Sequence, residues 1–181
     1  MKKTSFILRT VLMTALLTGW LLPSAPSYGS EPGSTLLRED PPTVPYDSLT
    51  TLAKRSYDLL KTEGFVPWII DKGNIGFKYQ GLNISLFAPA EDPNYLGLAA
   101  WFDSKEYGLT KEQLHDIFDD IMGNLKAIKA YLDTEGDICF STECLLDNDP
   151  RIEDILSSCC EILLHGVQQY NNASEALKNA K

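Results

Sequence analysis

The chain has 181 residues, 44% of them hydrophobic and 23% charged, and 25 acidic side chains against 16 Lys and Arg leave a net charge of −9. That length suits one domain of ordinary size behind a short leader. So acidic a surface argues against nucleic acid and anionic membranes as partners, because both are held through cationic contacts.

Residues 1–29 read as a cleavable secretory signal. Met1-Lys2-Lys3 and Arg9 give a cationic start, Val11 to Leu22 is mainly apolar, and Pro23 to Gly29 is helix-breaking or mostly small. The apolar run is about 12 residues, whereas a spanning helix needs about 20. Cleavage is expected after Gly29; the alternative is an uncleaved anchor in which Arg9 sits at the interface. The expected destination is the periplasm or the medium, with no membrane attachment after cleavage. The segment carries three of the cations and none of the acids, so its removal takes the net charge to −12. Residues 30–45 are rich in Pro, Ser and charge and read as a flexible leader.

Residues 46–171 are expected to form a single domain. Its first helix is predicted from about Ser48 to Glu63, capped by Asp47 and stopped by Gly64, with an apolar stripe of Leu49, Leu52, Ala53, Leu59 and Leu60. Four strands follow. Phe65 to Ile70 leads into a turn at Asp71 to Asn74. Ile75, Phe77 and Tyr79 then alternate with polar or small residues, Gln80-Gly81 turns the chain, and Leu82, Ile84 and Leu86 repeat the period of two. Tyr95 to Phe102 is the fourth strand. Connections this short favour an antiparallel meander, since a parallel crossover needs a dozen or more residues.

The second helix opens at Thr110, which with Gln113 fits a capping box, and Leu114, Ile117, Phe118, Ile121 and Leu125 form its apolar face. A strand is predicted from Lys126 to Leu132, a turn at Asp133 to Gly136, and a strand from Ile138 to Leu146. Asp149 and Pro150 should open a last helix that buries Ile152, Ile155, Leu156, Cys159, Leu163 and Val167. Residues 172–181 read as a disordered tail. The fold class is therefore α+β: an antiparallel sheet with helices on one face, in the order α-ββββ-α-ββ-α.

All four cysteines fall late in the chain: Cys139, Cys144, Cys159 and Cys160. Cys139 and Cys144 are an odd number of residues apart on one strand, so they face opposite ways, and a vicinal bond within a helix is disfavoured. A strand-to-helix bridge, such as Cys144 to Cys159, fits an oxidising compartment; the alternative is four buried thiols acting as small apolar groups. Cysteine and histidine spacing supports no zinc site.

No catalytic set, metal site or cofactor motif is assigned. His115 precedes Asp119 by four residues and His165 follows Glu161 by four, spacings that read as surface helix contacts. Asp116, Asp119 and Asp120 read as a solvated helix face, and Asp133, Glu135, Gly136 and Asp137 as a hairpin turn and not a calcium loop. Two enzymatic alternatives stand beside this: a small hydrolase using His115 with nearby carboxylates, and a thiol redox protein using Cys159-Cys160. Strand aromatics left on an uncovered face would make a binding platform, and the candidates are Trp68, Tyr79, Tyr95 and Trp101.

The element order, together with GFVPWIIDKGNIGFKYQGLNISLF, LHDIFDDIMGNLKAIKAYLD and DTEGDICFSTECLL, resembles the YbjN-like group, which shares the fold of type III secretion chaperones. The resemblance spans about Leu49 to Tyr170. It implies a protein that binds other proteins or itself and does not catalyse, and it supplies no site residues. Secretion chaperones are cytoplasmic, so an export signal departs from them and sets that particular role against this chain. The expected function is an exported, chaperone-like or protein-binding module whose partner is another protein or a second copy, with no nucleic acid involved.

Overall fold

The computed structural model describes residues 44–146 and 151–180. The signal peptide, all but the end of the leader, and the Asp149 cap with Pro150 lie outside the described residues.

The first helix, α1, is Thr51–Thr62. It starts later than the sequence suggests, because Tyr46–Ser48 is spent on a turn of 3-10 helix closed by Ser48 N–H on Pro45 O at 3.0 Å. Thr50 takes the capping role from Asp47: its hydroxyl accepts from Ala53 N at 3.1 Å and donates to Ala88 O at 2.8 Å, so one side chain caps the helix and ties it to the sheet. The far end closes as expected on Gly64, whose φ of +89° suits glycine alone. Phe65 N–H reaches Leu60 O and Gly64 N–H reaches Lys61 O, the paired bonds of a Schellman stop.

Strand β1 is only Trp68–Ile69, shorter than Phe65 to Ile70, since Pro67 has no N–H to give a ladder. Strands β2 (Asn74–Tyr79) and β3 (Leu82–Phe87) form a hairpin on Gln80 and Gly81, with φ of +47° and +86°, the positive pair that a two-residue turn needs. Then come β4 (Tyr95–Phe102) and α2 (Lys111–Asn124), where Thr110 and Gln113 close the expected capping box. Strand β5 (Lys129–Leu132) begins three residues late, after Ala127 takes a φ of +61°. Strand β6 is Ile138–Leu145.

The last helix, α3, runs Ile152–Asn179. The tail expected to be disordered from Asn172 is therefore helical to Asn179. Ser174 is fully buried there, and Ala173 and Leu177 pack on the core. They continue the stripe of Leu163, Val167 and Tyr170 at helical spacing, and Ala, Glu, Leu and Lys are strong helix formers.

All strand pairs are antiparallel, in the order β1-β2-β3-β4-β6-β5. The β5–β6 hairpin follows α2 and places β6 beside β4, so the two eight-residue strands pair along their full length. One face of the sheet presents Ile75, Phe77, Leu82, Ile84, Leu86, Leu96, Leu98, Ala100, Phe102, Ile138 and Phe140. These join Leu52, Ala53 and Leu60 of α1, Leu114, Ile117, Phe118 and Ile121 of α2, and Leu156, Cys159, Cys160, Leu163 and Val167 of α3 in a single apolar cluster. The three helices thus share one face, and the architecture is the α+β order α-ββββ-α-ββ-α. Among the described residues no helix is long and apolar enough to cross a membrane.

Candidate functional site

The strand period of two that sends one set of side chains to the helices sends the alternate set to the other face. Register defines that second face row by row. Its middle row is Trp68, Gly76, Ser85, Ala99, Ser141 and Lys129, one residue from each strand. On one side lie Trp101, Cys139 and Tyr131 of β4, β6 and β5. On the other lie Phe87, Gly97 and Glu143, and beyond them Tyr95 opposite Leu145.

The centre of this face is a floor of small residues, and aromatic side chains lie over it. A methyl group on Gly76 would fall within the Trp68 indole, and one on Gly97 would stand 2.8 Å from the Tyr95 hydroxyl. Phe87 and Trp101 meet edge to face, ring centres 5.8 Å apart. Ala99 is 3% exposed and Cys139 0%, yet neither belongs to the core cluster beneath the helices. Trp68, Phe87, Tyr95 and Trp101 are half-buried, while Tyr131 is 42% and Leu145 82% exposed.

The charge of this face is slight. Lys129 Nζ and Glu143 Oε2 pair at 2.6 Å, and Lys78 is exposed near the hairpin end. Hydrogen bonding to Cys139 and then burial push the Tyr131 hydroxyl up to about 12. Burial, followed by the Glu143 carboxylate, also raises Tyr95. Both phenols stay neutral at physiological pH, so an acidic molecule presents a nearly uncharged aromatic surface.

Three of the four aromatics expected to form a platform, Trp68, Tyr95 and Trp101, do lie on this face. Tyr79 does not: it shares the parity of Ile75 and Phe77, packs on the helix side, and donates to Glu161 Oε1 at 3.3 Å. Phe87 and Tyr131 were missed. Phe87 alternates with Leu82, Ile84 and Leu86, so its parity alone assigns it to the open side.

The thiols expected to pair are neighbours: Cys144 Sγ of β6 and Cys159 Sγ of α3 are 3.4 Å apart, both as free thiols. Cys144 is half-buried, whereas Cys159 and Cys160 are buried, and burial pushes the Cys159 thiol up to about 12 and that of Cys160 higher still. His115 is exposed on α2, its ring edge-on to Phe118 at 6.1 Å. It does not line the depression of about 450 Å³ that Thr51, Arg55, Lys72 and Pro89 help to form. Asp133 to Asp137 is the expected hairpin turn, with Asp133 Oδ1 accepting from Glu135 N and Asp137 N and Gly136 at a φ of +88°. Among the described residues no group of three or more His, Cys, Asp or Glu side chains is placed to hold a metal ion.

No protein-family model and no curated protein matches the chain. A solved structure, of an uncharacterized protein from Methanothermobacter thermautotrophicus, is similar to it with a TM-score of 0.52 at 15% identity, over 68% of this chain and 96% of that one. At that identity the likeness concerns the fold alone.

Proposed function

We propose that the protein is an exported, non-enzymatic binding module that takes another protein on the open face of its sheet. The observation that carries this is the aromatic layer of Trp68, Phe87, Tyr95, Trp101 and Tyr131, which no helix among the described residues covers. Contiguous aromatic area of this kind is uncommon on a surface without a partner, and aromatics dominate the energetic centre of protein interfaces. The strands of the sheet, about 4.8 Å apart with a rise of about 3.4 Å per residue, span roughly 550 Å², about two-thirds of the ~800 Å² that each partner contributes to a standard interface. The apolar centre and the Lys129–Glu143 pair beside it match the arrangement of an interface with a polar rim.

Export belongs to this proposal and rests on residues 1–29. So does membership of the YbjN-like group, for which the element order is the support. The test is a photo-crosslinking residue at Leu145 in the full chain, expressed in the cells that make it, with the same residue at Met122 on α2 as control. A discrete adduct from position 145 and none from 122 is expected. Equal labelling from both positions, or none from 145, overturns the reading.

A further inference from the structure

We propose that Cys144 and Cys159 are an oxidisable pair that closes into a disulfide joining β6 to α3, with an oxidised low-molecular-weight thiol such as oxidised glutathione as the oxidant. The proposal stands apart from the open face, because both residues lie on the helix side of the sheet.

Geometry selects this pair from the four thiols. The two sulfurs already touch at 3.4 Å, so bond formation needs a further approach of roughly 1.4 Å, to the ~2.05 Å of a disulfide. Cys139 is on the opposite face, under Tyr131. Cys160 follows Cys159 on a helix, where successive side chains point about 100° apart, and it is buried in the core. Cys144 alone of the four is not fully buried, which makes it the entry point for a bulky oxidant.

The order of steps follows from that asymmetry. The Cys144 thiolate attacks one sulfur of oxidised glutathione; that S–S bond breaks and one glutathione leaves as thiolate. Cys159 then loses its proton to solvent, and its Sγ attacks Cys144 Sγ, expelling the second glutathione. Two protein thiols are oxidised to one disulfide, and one glutathione disulfide is reduced to two thiols. The second step is the slow one, since burial holds the Cys159 proton, and an attacking thiol acts through its thiolate.

The experiment is incubation of the reduced, folded protein with oxidised glutathione, followed by intact mass and peptide mapping without reduction. The wild type and Cys160→Ser should each lose two hydrogens and yield one peptide pair linked through positions 144 and 159. Cys159→Ser should stop at a stable glutathione adduct on Cys144, and Cys144→Ser should remain unmodified. Should a variant fail to fold, the wild-type map still decides. Four free thiols at equilibrium with the oxidant, or a link involving Cys139 or Cys160, overturns the proposal.

Discussion

A methyl group on Gly76 has no room beneath the Trp68 indole, which rests on the bare backbone of β2. Gly76→Ala must lift that ring, and Trp68 supplies half of the two-residue strand β1. The expected cost is about 1–3 kcal/mol, as for other overpacked sites, with a red shift of tryptophan emission as Trp68 becomes wetter. Denaturant unfolding and emission spectra check both; unchanged emission would mean that the indole does not lie over Gly76. The parity behind this contact is visible in the sequence, because Ile75, Phe77 and Tyr79 are apolar and Gly76 and Lys78 are not. The same parity sends Tyr79 to the helices, and grouping it with Trp68 on aromatic character alone hid that. Tyr131 was harder to place, since β5 has only four residues and its outward side carries Lys129 beside it. Its ionisation gives a second test. The folded-state value is raised from 10.0 to about 12. Folding therefore holds the proton more tightly, and the stability from this group is intact below pH 10 and lost as pH rises toward 12. Tyr131→Phe should remove that portion of the alkaline loss of stability, read by circular dichroism across the range.

At the scale of elements, the two candidate caps of α1 are separable by mutation. Thr50 bonds both Ala53 N and Ala88 O, while Asp47 lies in the preceding turn. Thr50→Ala should cost about 1–2 kcal/mol, and Asp47→Ala should stay within about 0.5 kcal/mol, as surface changes do. Equal losses in thermal unfolding would contradict this assignment. Asp47 reads as the cap from the sequence because Asp is a strongly preferred N-cap residue. The sequence could not show Ala88 O, one residue past the end of β3 and 38 residues from Thr50, arriving at this position. The end of α3 repeats the lesson. NASEALKNAK is polar enough to read as a tail, yet Ala173 and Leu177 extend the buried stripe. Ending the chain at Asn171 should therefore lower the melting temperature, through lost packing and exposure of the Tyr170 ring against Phe140. A tail without packing would leave the melting temperature unchanged.

At the scale of the whole molecule, the three helices among the described residues lie on one side of the six strands and leave a second face that an isolated domain would ordinarily make polar. Here that face is aromatic and nearly neutral on a chain of net charge −9, so the acidic side chains are concentrated elsewhere. Toward a partner that is itself acidic, a long-range repulsion from the rest of the surface accompanies a short-range apolar attraction at the face, and added salt, which screens only the first, should strengthen that association. Trp68 and Trp101 are the only tryptophans among the described residues and both stand on this face, so their emission reports its occupancy directly. Leu145 provides the means to disable it. Its side chain is 82% exposed at one end of the face, so Leu145→Glu removes little packing and should change stability by no more than about 0.5 kcal/mol. It places a buried charge in any interface formed there, which truncates affinity by roughly 2–5 kcal/mol when the charge finds no partner. Met122→Glu on the helix side, at a residue 39% exposed, is the matched control. The expected result is loss of the partner-induced blue shift in Leu145→Glu and its retention in Met122→Glu, with melting temperatures close to wild type in both. A partner that still shifts the emission of Leu145→Glu to the wild-type extent would mean that this end of the sheet is not part of the interface.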